Sequence, residues 1–282
     1  MTKEIRQMAK KRLRAGEICS ISILTITFII LIFPFYIMIV TSLKSGTQFI
    51  QNFWGIEFPI QLENYSRAWK SISLYFGNSV KVTVLTVGGL LLVVIPAGYS
   101  FARFNFRGKN ILFYLIMAFS MIPATLLLVP MFLNVLDLGL NDSHWGVVLP
   151  NIATFSVVAI MLTRSFFQQI PVSLFESAYI DGARESMILR KIVIPLSKPI
   201  IGTVAVINSF NTFNQYMWPF IILSDNKLKT VPIGLATLAG QHGVNFGYQM
   251  AGYTLAALPL LIIFASTSKL YVSGITAGAI KG

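Results

Sequence analysis

Charge is scarce in this chain: only 11% of its 282 residues are Asp, Glu, Lys or Arg, against about 25% in an ordinary soluble domain. That deficit, set beside an apolar content of 55%, excludes a soluble globular domain and equally a disordered or fibrous chain. A single cysteine, Cys19, rules out an internal disulfide, and its apolar neighbours make it a packing residue by default. The only histidines, His144 and His242, stand in different outer segments, which leaves neither a metal cluster nor a Ser-His pair to be assembled. No glycine-rich phosphate loop is present, since the nearest fragment, Gly108-Lys109-Asn110, lacks both the upstream glycine and the hydroxyl. We therefore assign no catalytic residue, no metal ligand and no cofactor to this chain.

What remains is apolar sequence in long runs. Six stretches lie between consecutive charged or histidine residues: Glu17 to Lys44, Lys81 to Arg103, Lys109 to Asp137, His144 to Arg164, Lys198 to Asp225, and His242 to Lys269. A helix of about 20 residues rising 1.5 Å each crosses a hydrocarbon core of roughly 30 Å, and a central charge within it costs about 2.5 to 3.5 kcal/mol. The predicted fold is an all-α integral membrane protein of six transmembrane helices. A basic amino terminus occupies residues 1–17, the membrane domain 18–272, and a short tail 273–282. The first apolar run is too long for a cleaved signal peptide and reads as an uncleaved span.

Charge placement orients the spans. Lys3, Arg6, Lys10, Lys11, Arg12, Arg14, Arg103, Arg107, Lys109, Arg164, Arg184, Arg190, Lys191, Lys198, Lys269 and Lys281 gather on one side, while Lys44, Arg67, Lys70, Lys227 and Lys229 lie on the other. By the positive-inside rule the first side, with both termini, is cytoplasmic. The net charge of +12 is thus a membrane-orientation signal and not a nucleic-acid footprint. Trp54, Trp69, Trp145 and Trp218 all fall toward the outer side, where indoles favour the membrane interface.

Residues 168–199, between the fourth and fifth spans, have a helical grammar. Pro171 suits a first helical turn; Leu174 with Ala178, and Phe175 with Tyr179, share faces at i and i+4. Asp181-Gly182 is a break, with glycine free to turn left-handed and Asp181 placed to cap the next helix. Ile188, Leu189, Ile192 and Val193 form a second stripe that Pro195 and Pro199 terminate. The product is a helix, sharp turn and helix with small residues at Ser177, Ala178, Gly182 and Ala183. Two readings fit: a rigid knob for a docking partner, and an amphipathic hairpin lying on lipid headgroups.

The pattern Glu176, Ala178, Asp181, Gly182, Ala183, then Ile192, Pro195 and Pro199, resembles the EAA loop of ABC importer permeases, with Ser177 replacing the second alanine of the motif. The stretch from Phe210 to Asp225 is similar to the fifth helix of maltose-type carbohydrate permeases, which usually carry Trp at the position of Phe213. The ending from Ser273 to Gly282 is similar to the tail of the second permease subunit in that group. The resemblance covers essentially the whole chain and implies the type I ABC importer permease fold in a prokaryotic plasma membrane. It implies that Glu176, Ser177, Ala178, Asp181, Gly182 and Ala183 couple to a cytoplasmic ATPase present in two copies, which carries ATP and Mg. The other implied partners are a second permease subunit and an extracytoplasmic sugar-binding protein, with membrane lipid around them.

Read without the family, Asn208, Asn211 and Gln215 at i, i+3 and i+7 put amides near one face of an otherwise apolar span, and lipid cannot satisfy them. With Asn214 and the rings of Phe210, Phe213 and Tyr216 they offer hydrogen bonds and stacking faces to a sugar; amides gluing packed helices together are the alternative. A glycerol phosphate ester would instead favour Arg or Lys along the path, and a secondary transporter would need ionisable groups inside its spans. Pro96, Pro123, Pro130 and Pro259 are placed to kink spans, and Gly88, Gly89 and Gly98 to allow close helix approach. The segment from Lys44 to Tyr75 reads as a long outer loop.

Overall fold

The computed structural model describes the backbone of residues 2–241 and 245–279, and side-chain environments for 16–238 and 245–265. Every regular element among the described residues is a helix: α1 Thr2–Ser42, α2 Gly46–Gln51, α3 Glu63–Arg103, α4 Lys109–Phe119, α5 Ala124–Asp137 and α6 His144–Phe167. Beyond these lie α7 Val172–Ile180, α8 Glu185–Leu196, α9 Lys198–Asn214, α10 Met217–Ile222, α11 Val231–Gln241 and α12 Phe246–Ala279. Among the described residues, four helices are long and apolar enough to cross a membrane, and six spans result if each of two bent helix pairs is one span. The helical fold agrees with the expectation, and the range of four to six candidate spans includes the expected six, although the second bent pair, Glu185–Leu196 with Lys198–Asn214, takes in part of the segment expected as a loop. His242 and the last residues of the tail, 280–282, lie outside the described residues.

Two expected spans are not straight rods. The third is broken into α4 and α5, bent by 101°, because Pro123 at the start of α5 has no N–H to continue the ladder and keeps Ile122 out of helical geometry. The fifth ends early: α9 stops at Asn214, Gln215 is extended at ψ 121°, and α10 resumes at Met217. The chain enters α9 from α8 through a bend of 77°.

The chain divides into two compact units. One comprises Met1–Lys70 with Leu238–Leu255. Here the Gly16–Ser42 part of α1 is apolar on all sides and almost wholly unburied within the chain. Cys19 is therefore exposed and not a packing residue. Asn64 donates to the carbonyls of Ser42 and Lys44, 2.9 Å each, satisfying groups that the end of α1 leaves open. Lys44 is fully buried, its Nζ donating to the carbonyls of Asn52 at 2.5 Å and Phe53 at 3.1 Å. Burial holds its ammonium below the ordinary lysine range, with Glu57 opposing the shift. The expected outer loop from Lys44 to Tyr75 is thus largely structured: Ser45 and Gln48 form a capping box on α2, and α3 begins at Glu63.

The other unit, Ser71–Thr237 with Ala256–Gly282, contains the packed bundle. Helices α3 and α6 approach closely at Gly98, where a Cβ would collide with Thr163 Oγ1, and at Gly89 against Ile152. Gly88 faces open space and takes no part in that approach. Leu90, Val94, Ala159, Ile160 and Val204 form one core region, and Val82, Val135, Val147, Val148, Trp218 and Ile222 another. Trp218, expected at the membrane interface, is 2% exposed in this second region, because apolar packing with Val147, Val148 and Ile222 captures the indole. Trp54, Trp69 and Trp145 are exposed. His144 is buried at the start of α6, its Nε2 3.0 Å from the Leu228 carbonyl, a structural contact.

Candidate coupling loop and substrate path

Pro171 is the N-cap of α7, and the helix ends in a six-residue hydrogen-bonded turn. The N–H of Ala183 donates to the Ala178 carbonyl at 2.9 Å and that of Gly182 to the Tyr179 carbonyl at 3.0 Å, the pairing of a Schellman stop. This requires Gly182 at φ +74°, a conformation that a β-carbon disfavours. The break signal is confirmed, but Asp181 does not cap the next helix. Arg184 is the N-cap of α8, without a side-chain cap bond, because Asp181 lies three residues upstream and completes the preceding stop instead.

Of the apolar residues expected to pair along α7, Phe175 and Ala178 are buried while Leu174 and Tyr179 are exposed. The inner face therefore runs through i and i+3, set by contact with Tyr99, Phe167, Ile170, Ile188, Val193 and Ile200. In α8, Ile188 and Val193 are buried and Leu189 and Ile192 half-buried, as the second stripe predicts. Residues Leu189–Val193 widen into a π turn just before Pro195. Glu176, Ser177, Asp181 and Gly182 are exposed, Ala183 is half-buried, and Ala178 is used in the chain's own core, not offered to a partner. At the tip, Ile180 is 87% exposed beside these residues, an apolar group that motif reading passes over.

Sequence reading also missed the residues that fasten this loop. Arg103, at the end of α3, donates through Nη2 to the carbonyls of Phe167, at 2.9 Å, and Ile170, and its guanidinium lies 3.9 Å from the Phe175 ring centre. A cation there answers the open carbonyls and the dipole at the end of α6 while clamping α7. Glu185 accepts from Tyr99 at 2.7 Å and from Tyr179 at 2.6 Å, joining α8 to α3 and α7. The Glu185 carboxylate, as hydrogen-bond acceptor, is the main cause that raises the Tyr179 phenol above its ordinary range, with burial second. An isolated arginine in a charge count carries no hint of this; only the chain path brings α3, α6 and the loop together.

The amides of α9 separate into two groups. Asn208 and Asn211 border a mostly apolar cavity of about 740 Å³, whose lining also includes Ser120, Thr154, Phe119 and Phe155 and no charged side chain. Asn208 is buried and donates to the Val204 carbonyl. Phe210 is half-buried, Asn214 is exposed and bonds the Phe210 carbonyl, and Tyr216 stacks on Phe220 with ring centres 5.2 Å apart. Gln215 does not continue the face of Asn208 and Asn211, because the helix has ended; its amide pairs with Asn151 on α6. Among the described residues no group of His, Cys, Asp and Glu is placed to hold a metal ion.

The family described as the binding-protein-dependent transport system inner membrane component matches residues 94–273, a stretch holding the whole loop, the cavity and the helix break. The chain belongs to this family. It is a permease subunit of a binding-protein-dependent transport system and a multi-pass membrane protein. The permease is 31% identical over 99% of its length to 93% of the probable ABC transporter permease protein YurM of Bacillus subtilis. It is 32% identical to the arabinooligosaccharides transport system permease protein AraQ of the same organism, covering 92% of this chain and 95% of that one. Trehalose/maltose transport system permease protein MalG of Thermococcus litoralis is 31% identical, over 90% and 93%. The fold matches a chain from the crystal structure of a bacterial ABC transporter involved in the import of the acidic polysaccharide alginate. The TM-score is 0.80 at 24% identity, covering 91% of this chain and 96% of that chain.

Proposed function

We propose that the permease forms half of the translocation path for an uncharged sugar or oligosaccharide, pairing with a second permease subunit and receiving substrate from an extracytoplasmic sugar-binding protein. Relatives named for arabinooligosaccharides and for trehalose/maltose support the substrate class. So does a cavity bordered by Asn208, Asn211 and aromatic rings without a cation, since a phosphate ester would call for Arg or Lys there. Asn208, Phe210, Asn211, Asn214 and Tyr216 are the proposed path residues; Gln215 serves them indirectly.

The loop 168–199 is the proposed coupling element, on the cytoplasmic side with both termini. The observation that carries this reading is its rigid attachment. Arg103 and the Tyr99–Glu185–Tyr179 bonds tie the loop to α3 and α6, while Glu176, Ser177, Ile180, Asp181 and Gly182 stay exposed. Phe175, Ala178, Ile188 and Val193 are consumed by the chain's own core, while Val172, Leu174, Tyr179, Ile180 and Met187 stay exposed as apolar surface for a docked partner. Two copies of an ABC ATPase, holding ATP and Mg, would move the docked loops as rigid bodies and switch the cavity between inward and outward access.

The test is gentle purification from the native host with mass spectrometry of stoichiometric partners, then ATPase assays with candidate sugars. Recovery of a P-loop ATPase and a second permease, with sugar-stimulated hydrolysis, is the expected result. A chain that purifies alone under conditions preserving comparable complexes would overturn the reading. For orientation, a reporter after Asp181 should be cytoplasmic and one near Asn226 external.

A further inference from the structure

The break between α9 and α10 lies between two differently packed patches on α6. On one side of it Val204 packs in the core with Ala159 and Ile160; on the other Trp218 and Ile222 pack with Val147 and Val148. At the break itself the Gln215 oxygen accepts from Asn151 Nδ2 at 2.7 Å, and Gln215 Nε2 donates to the Asn151 oxygen at 3.1 Å. Asn151 is 2% exposed. Two amides bonded reciprocally satisfy each other where a lone buried amide would be strongly unfavourable, so each residue's placement depends on the other. Nearby, Thr212 Oγ1 and Trp218 Nε1 are buried without a hydrogen-bond partner, while the Asn151–Gln215 pair bonds the break to α6.

We propose that Asn151 is a positioning residue for transport: through Gln215 it sets the geometry of the helix break and thereby aims Asn214 and Tyr216, the exposed residues on either side of Gln215, at the passing saccharide. This rests on the sugar-path reading above. Gln215 then acts as a brace and makes no substrate contact, which separates it from the other amides of the span. Because the brace joins α6 to the end of α9 and is remote in sequence from the loop 168–199, its loss should alter substrate affinity and leave the coupling surface intact.

The experiment uses the complete transporter, purified with its partners and reconstituted, with the saccharide that best stimulates its ATPase. Asn151→Ala, Gln215→Ala and the double variant are compared for uptake KM, uptake kcat and ATPase activity without substrate. Each single variant should raise KM roughly tenfold, with substrate-free ATPase within about twofold of wild type. The double variant should be no worse than the poorer single, because both remove one interaction. Should Asn151→Ala fail to assemble, Gln215→Ala at the half-buried end of the pair carries the same expectation. Wild-type KM in the singles, or additive losses in the double, would overturn the brace. A wild-type complex that neither takes up nor responds to any saccharide would overturn the sugar-path reading, and this inference with it.

Discussion

Replacing Arg103 by Ala should release the coupling loop without unfolding the bundle. The substitution removes two hydrogen bonds from a charged donor to the Phe167 and Ile170 carbonyls and a guanidinium 3.9 Å from the Phe175 ring. A hydrogen bond from a charged group contributes about 1.5 to 3 kcal/mol and a cation over an aromatic ring about 0.5 to 2. Water reaching the freed carbonyls returns part of this, so the net loss is about 2 kcal/mol. At 1.4 kcal/mol per factor of ten, amides in residues 172–188 should exchange with solvent deuterium roughly thirtyfold faster, while those of α6 and α9 keep their protection. The reconstituted transporter should hydrolyse more ATP per sugar moved. Arg103→Lys, which keeps the charge and loses the fork, should fall between Ala and wild type. Unchanged exchange in 172–188 together with an unchanged transport-to-ATP ratio would refute the clamp.

Gly182→Val should uncouple transport: nothing lies within 4 Å of a β-carbon there, so the damage is conformational, at φ +74°. Gly182→Asn, a residue that tolerates this region, should retain most coupling, and equal loss in both would point away from the turn. Gly98→Val should lower stability in detergent by about 1 to 3 kcal/mol through collision with Thr163, whereas Gly88→Ala should be neutral or stabilising by about 0.5 kcal/mol; a thermal melt monitored by fluorescence separates them. The Tyr179 phenol titrates above its ordinary value of about 10, so its bond to Glu185 stabilises the loop fully below that pH and loses its effect as pH rises through the folded-state value. Difference absorbance of tyrosinate between wild type and Tyr179→Phe should show this upward shift, and Glu185→Gln should reduce it.

Much of this architecture is legible in the residues alone. The charge-free runs mark the helices, since a membrane span announces itself through the expense of charge in hydrocarbon. The turn at Gly182 and the stop of α7 are legible because local backbone chemistry decides them. Most of the failures have a common cause. Ala178 as an offered surface, Trp218 as an interfacial anchor and Gln215 as a member of the Asn208 face rest on local position or helical period, and each was decided by what another segment brought alongside; Asp181 as a cap failed locally, because the α7 stop already uses it. Gly88 and Gly98 have the same composition signal, yet only Gly98 meets a neighbouring helix.

By itself the sequence determined that this is a helical membrane protein, where its apolar runs lie, and where a glycine-stopped helix interrupts them, because hydropathy and backbone preference act over a few turns of chain. Tertiary structure alone decided that Arg103 bonds the carbonyls of Phe167 and Ile170, that Glu185 joins two tyrosines, and that Asn151 pairs with Gln215 where the fifth helix breaks. Those contacts pair residues from separate helices, and a hydrogen bond's partner is chosen by packing in space, which periodicity along one helix does not encode.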